Sequence, residues 1–179
     1  MNARECIMNR RSIRSYTDQP VSHELIDEVV EAASYAPSWK HTQIVRYIAV
    51  EGSLKAEVAK CTSGYAKNGE IINQAPMVIV VTVIKNRSGF ERDGSYSTHR
   101  GDGWQMYDAG VASEAFCLAA YDKGLGTVIM GIIDDEKIAA LLGVPEDREV
   151  VAVIPVGYPA ESPVAPKRKP VSEMVTYMS

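Results

Sequence analysis

Three stretches of this 179-residue sequence predict a mixed α+β fold. Residues 77–84, MVIVVTVI, are apolar on both alternations, the pattern of a central strand covered on both faces. Residues 22–36, SHELIDEVVEAASYA, carry an apolar stripe at helical spacing. Residues 104–123, WQMYDAGVASEAFCLAAYDK, are apolar or small nearly all round, as befits a long helix buried in a core or at a subunit contact.

In chain order, Ser22 is placed to cap the first of these helices. Glu24 and Asp27 stand in its opening turns, Leu25, Ile26, Val29, Val30 and Ala33 form the stripe, and Pro37 ends it. VRYIAVE (45–51) reads as a strand. Residues 85–103 are polar and glycine-spotted, which predicts a long loop, and long loops inside small domains tend to be functional. Gly124 stops the long helix, and the short strand GTVIM follows. Asp134 or Asp135 caps the helix DEKIAALLG, which Gly143 ends. EVVAVIPVGY (149–158) reads as a strand that Pro155 confines to an edge or a strand end. Prolines at 159, 163, 166 and 170 make the remainder an extended arm.

The bulk numbers exclude several classes. A net charge of −4 and a pI near 5.4 lack the cationic footprint of a nucleic-acid binder. The longest apolar run, residues 75–84, is too short to span a bilayer, and the opening residues lack the apolar core of a leader. Cys6, Cys61 and Cys117 are odd in number and widely spaced, as in a reducing cytoplasm. The three histidines are isolated, so no metal site is expected; there is no P-loop and no nucleophile elbow. GLGTVIMG (124–131) has the wrong glycine spacing for a dinucleotide fingerprint and opens a strand rather than a helix.

What stands out is charge. Arg10, Arg11 and Arg14 crowd into five residues of an acidic chain, and Lys167, Arg168 and Lys169 form a second cluster near the end. Two solvated patches would explain them; so would convergence on one dianion, because guanidinium forks suit a phosphate.

RRSIRSYTDQPVSHELIDEVVEAASYAPSWKHTQ resembles the opening of the nitroreductase family of FMN-dependent oxidoreductases, with its Arg-Arg-Ser-x-Arg stretch, a helix, and an Ala-Pro-Ser-x-x-Asn-x-Gln segment. The resemblance continues through INQAPMVIVV, GLGTVIMGIIDDEKIAALLGVP and VGYPAESPVAPKRKPVSEMV. It implies one FMN-binding domain over 1–179, with a mainly antiparallel sheet between helices, in a homodimer that exchanges its tails and holds two flavins at the interface.

Position by position, Arg10 and Ser12, with Arg11 between them, match residues at the FMN phosphate and ribityl chain. Arg14 matches the basic residue near the pyrimidine edge, and Arg168, beside Lys167, the tail cation that closes on the phosphate. Pro37, Ser38, Trp39, His41 and Gln43 match a segment that reaches the flavin bound mainly by the other subunit. Asn68 and Gln105 align with polar flavin contacts. Val128 and Ile129 lead into Met130 and Gly131, which match backbone donors facing flavin N5 and O4. The resemblance implies that NADH or NADPH and a small electrophilic acceptor use one flavin face in turn.

The chain departs from the family pattern with His41 in place of Asn and Ile44-Val45 in place of Pro-Trp. His41 is either a ring contact or structural, and Trp39 either a flavin contact or a packing anchor. Phe90, Tyr96 and His99 either line an aromatic acceptor pocket or lie in an exposed, disordered loop.

Overall fold

A computed structural model describes residues 2–179. Its elements run α1 (Ala3–Asn9), α2 (His23–Ala33), β1 (Val45–Val50), α3 (Gly52–Lys60), α4 (Ala66–Gln74), β2 (Met77–Ile84), α5 (Gly103–Asp122), β3 (Gly126–Thr127), α6 (Asp135–Leu142) and β4 (Arg148–Gly157). The strands form an antiparallel sheet in the order β1-β2-β4-β3.

The double-sided apolar pattern of β2 explains the layering. Met77, Ile79 and Val81 face α2 and α5, where Val29, Phe116 and Ala120 are fully buried. Val78 and Val80 face the other side, against Val58 of α3, Ile72 of α4 and Ile138 of α6. Alternate strand side chains point to opposite faces, so one strand serves two cores. Two glycines admit close approaches. A Cβ on Gly69 would stand 2.6 Å from the Ala59 carbonyl oxygen, where α4 crosses α3, and one on Gly157 would stand 2.5 Å from Pro76 Cδ.

The caps follow from sequence. The Ser22 side chain accepts from the Leu25 N–H, and Asp134 accepts from that of Lys137. Gly124 and Gly143 take left-handed backbone (φ 80° and 61°) just beyond their helices. Three expectations need correction. The first predicted helix stops at Ala33, because the Ser34 hydroxyl turns back onto the Glu31 carbonyl (2.6 Å), so Pro37 lies beyond the end. Helices α1, α3 and α4 have no counterpart among the expected elements. Within one chain, Met106, Tyr107 and Gly110 of α5 are exposed.

The third concerns Pro155, which sits inside the sheet, since β4 runs between β2 and β3. Val153 exchanges both backbone hydrogen bonds with Met130 (2.9 and 3.0 Å), and Gly157 pairs with Gly126. Residues two apart present their backbone groups to the same side, so Pro155 faces Val128 without an N–H to offer. The Pro155 carbonyl oxygen instead lies 3.2 Å from the Tyr16 hydroxyl. The ladder therefore lapses over 128–129.

Candidate functional site

The family-matched residues fall into three places. The first is the end of the sheet at β3. Ser12 bridges Thr127 in parallel fashion, the Ile13 N–H donates to the Thr127 carbonyl (2.9 Å), and the Ala160 N–H to that of Ser15 (2.9 Å). Gly126 makes this possible: a Cβ there would lie 2.7 Å from the Ile13 side chain. Tyr16 is buried beneath, its hydroxyl donating to the Ile13 carbonyl at 2.7 Å, and burial pushes its pKa up.

Each arginine of the opening cluster has a separate partner. Arg10 Nε donates to Glu114 of α5 (3.3 Å). Arg11 Nη1 donates to the Met8 and Arg10 carbonyls (2.8 Å each), capping the end of α1. Arg14 is exposed; its Nη1 lies 3.3 Å from the Ser12 carbonyl, and its N–H donates to Glu161 at 2.5 Å. Beneath them, burial pushes the Cys117 thiol up to about 11, partly offset by its bond to Thr127 and by Arg10.

Beyond the ladder gap, Met130 is buried and Ile129 and Gly131 are exposed. The Met130 N–H is engaged with Val153, so it is not the free donor the resemblance implies. The Gly131 N–H has no acceptor among the described residues, and a Cβ added at Gly131 would meet nothing within 4 Å. An open amide beside open space fits the edge of a planar, hydrogen-bonding ring. Asn68 on α4 lies nearby, its Nδ2 donating to the Ile132 carbonyl at 3.3 Å.

The second place is the turn at 37–43, against the start of α5. Trp39, Lys40 and His41 form a 3-10 turn, and Lys40, His41 and Gln43 all have left-handed backbone (φ 45°, 59° and 48°), disfavoured for non-glycine residues by roughly 1–2 kcal/mol apiece. The Trp39 N–H donates to both oxygens of buried Asp108 (3.1 and 3.0 Å), and the Gln43 N–H to the Ser38 hydroxyl (2.9 Å). The Trp39 ring packs on Trp104 at 4.6 Å, and Trp104 on Tyr107 at 5.5 Å. His41 is exposed, and no side-chain hydrogen bond of its ring is found among the described residues.

Loop 85–102 leans on this turn. Ser88 is hydrogen-bonded to Thr42 (2.8 Å) and to Asp108, and Lys40 pairs with Glu91 (2.7 Å). The loop is internally bonded: Phe90 packs on Tyr96 at 4.9 Å, and the Ser97 N–H donates to the Gly89 carbonyl at 2.8 Å. Phe90 and Tyr96 thus pair with each other, while His99, Arg100, Trp104 and Tyr107 line an open concavity. Gln105 is held within the fold: it accepts from the Asn86 N–H (2.6 Å) and donates to Glu149 (3.4 Å), whose pKa burial raises.

The third place is the arm. Residues 160–179 are almost wholly exposed, and Lys167 and Arg168 make no contact with the opening arginines; Lys169 faces Glu173 at 3.7 Å. Within one chain, then, the arginine segment, the 37–43 turn and the tail cations stay apart. The arginine segment meets α5 at Glu114 and the turn meets it at Asp108. Reading residues singly missed Asp108, Ser88, Trp104 and Gly126, none of which carries a local motif.

A sheet covered on both faces, with an open amide at its end and guanidinium groups alongside, defines a class of α+β proteins suited to a flat anionic cofactor. The sequence profile of the Nitroreductase family matches residues 7–65 and 62–158, and the chain belongs to that family. A protein of Methanothermobacter thermautotrophicus, provisionally named NADH dehydrogenase/NAD(P)H nitroreductase, is 34% identical over 91% of this chain and 80% of its own. An FMN reductase (NAD(P)H) of Bacillus subtilis is 30% identical over 97% of this chain and 73% of its own. The structure of a provisionally named nitroreductase from Desulfovibrio desulfuricans, in complex with FMN, aligns with a TM-score of 0.78 at 27% identity, over 100% of this chain and 98% of that one.

Proposed function

We propose that this chain is an FMN-dependent oxidoreductase that takes electrons from NADH or NADPH and passes them to small electrophilic acceptors such as nitroaromatics or quinones, by a ping-pong mechanism in the cytoplasm. The observation that carries the reading is the family match along the chain, joined to the open Gly131 amide beside the unladdered strand. Bound FMN supplies the hydride chemistry; the protein supplies position and charge. The Gly131 N–H is oriented by the Met130–Val153 bridge, so it can donate where negative charge grows on the reduced ring, with no reorganisation. Arg10 and Ser12 would hold the phosphate and ribityl region, and the positive charge of Arg14 would favour the reduced anion. No side-chain acid or nucleophile is required.

The functional unit is a homodimer with exchanged arms. A groove of about 460 Å³ lies between α2, β1 and α5, lined by Ile26, Val30, Pro37, Val45 and Tyr47, and β1 has an open edge. Residues 160–179 are almost wholly exposed in one chain, and laid on a second copy they bury this groove and carry Lys167 and Arg168 towards its site. Sedimentation of the full chain and of a chain ending at 160 tests this: a dimer that becomes monomeric on truncation agrees, and a full-length monomer with FMN bound overturns it.

The visible spectrum, followed by anaerobic NADH and NADPH, tests the chemistry. A yellow protein bleached by either donor agrees. A yellow protein that resists both is a flavin store, and a colourless one that takes up no FMN overturns the reading. Parallel double-reciprocal lines are expected in steady state, and intersecting lines refute the ping-pong order.

A further inference from the structure

The geometry points to Asp108 as a positioning residue that ties the flavin-facing turn to loop 85–102, so that the acceptor side of the site and the ring side move as one body. This rests on the proposed FMN site at the turn.

Asp108 is 4% exposed, on the second turn of α5, and forms no ion pair with a Lys, Arg or His among the described residues. Burying a carboxyl group without a cation is unfavourable unless hydrogen bonds satisfy it. Its partners are the Trp39 N–H on both oxygens and the Ser88 hydroxyl on Oδ2. The Ser88 hydroxyl donates to Oδ2, and that fixes the direction of the chain. Ser88 donates its one proton to Asp108, so Thr42 donates its own to Ser88. The Trp39 N–H and the Thr42 hydroxyl therefore reach one carboxyl group from the two ends of the 3-10 turn, and Ser88 brings the loop to it.

The turn needs such an anchor. Three non-glycine residues in left-handed backbone revert unless their surroundings hold them. The loop is attached at one further point, Lys40 to Glu91, so displacing it by an acceptor reaches the turn directly. The Asp108→Asn substitution would present an N–H₂ group to a site that already holds two donors, reversing one bond of the chain. The S88A variant would cut only the link to the loop, leaving the Trp39 bond in place.

The test compares D108N and S88A with the wild-type chain. Amide exchange on the apoprotein reads the turn without any flavin: Trp39 exchange should rise at least tenfold in D108N and change little in S88A. With FMN bound, D108N should lose about tenfold in its preference for reduced over oxidised flavin, a fall of about 30 mV for a two-electron couple. S88A should hold its potential and raise the acceptor KM several-fold with kcat for NAD(P)H-dependent flavin reduction unchanged. Wild-type Trp39 exchange and potential in D108N would overturn the inference, as would an unchanged acceptor KM in S88A. Should D108N not fold, D108A, which removes both acceptor oxygens from the Trp39 N–H, must show the faster exchange in its place. A wild-type protein that binds no FMN would fail the functional reading instead, while the apoprotein exchange still decides the role of Asp108.

Discussion

The arginine segment at 10–17 and the turn at 37–43 meet the same helix, yet they are built in opposite ways. The first is held by backbone: Ile13 to Thr127, Thr17 to Tyr158 and Ala160 to Ser15, each at 2.9 Å, with glycine supplying room at 126 and 157 and no left-handed residue among 10–17. The second is held by side chains around one carboxyl group, with three residues in left-handed backbone. A backbone ladder tolerates almost any side chain but no extra bulk beneath it. A side-chain clamp tolerates bulk outside but not a change of polarity at its centre. The arginine segment therefore stays rigid, while the 37–43 turn can be retuned by single substitutions.

The largest effect that could break this contrast comes from filling a glycine. Gly157→Ala places a Cβ 2.5 Å from Pro76 Cδ and 3.1 Å from Tyr16 Cδ1, and the rigid proline ring cannot rotate away. A loss of about 1–3 kcal/mol is expected, read as a Tm lowered by several degrees in the apoprotein. Gly131→Ala, with open space at the same distance, should stay within about 0.5 kcal/mol of wild type. Equal losses would show that the two positions do not differ as described.

Next in size is the balance between phosphate and ring contacts. Arg168→Ala should weaken FMN binding more than His41→Ala, by about 1 kcal/mol, because a charge-assisted contact outweighs one polar contact. Titration of both apo-variants with FMN reads the difference; equal losses would place the grip on the turn rather than on the cations.

Thiol chemistry sharpens the contrast further. Cys117 lies under the arginine segment, its pKa pushed up to about 11 by burial, whereas Cys61 is only part-buried, its pKa raised by desolvation and by Asp134. At pH 8 an alkylating reagent followed by mass spectrometry should label Cys61 first and reach Cys117 only on unfolding. Early labelling of Cys117 would mean that the ladder end opens.

The smallest effect is electrostatic. His23, at the start of α2, is hydrogen-bonded to Glu51 (2.9 Å), which raises its pKa above the usual 6.5. A raised folded value means the contact favours the fold below the unfolded pKa and that the gain fades as pH climbs through the folded one. A proton-resonance titration should show His23 titrating above 6.5, and Glu51→Gln should bring it back down.

Much of this was legible residue by residue. The alternation in β2 foretold two cores, because each face of a strand needs its own partner, and Ser22, Asp134, Gly124 and Gly143 declared their helix ends through local chemistry. Helices α3 and α4 escaped because they are nine residues each, without a side-chain cap, and Gly69 interrupts the second for a contact made elsewhere in the chain. Pro155 reads as an edge residue because its gap exists only relative to Val128, twenty-seven positions away. The order of the arginine segment with the later segments indicated a family, but the clamp at Asp108 has no sequence signature. One buried aspartate on an apolar helix looks like any other until the turn it holds is in view.

The proline in β4 has a thermodynamic side. Most backbone donors offered to a ligand must first let go of something, a water or a neighbouring strand, and part of the binding energy goes into that exchange, about 0.5–1.5 kcal/mol for each bond replaced. Opposite Pro155 there is no strand bond to relinquish, because covalent structure, not fluctuation, leaves the ladder undone. Such readiness does not fade on cooling or need an opening motion, as a frayed strand would. Restoring an N–H at position 155 would give the Val128 carbonyl a partner and let the ladder run on between Gly126 and Met130.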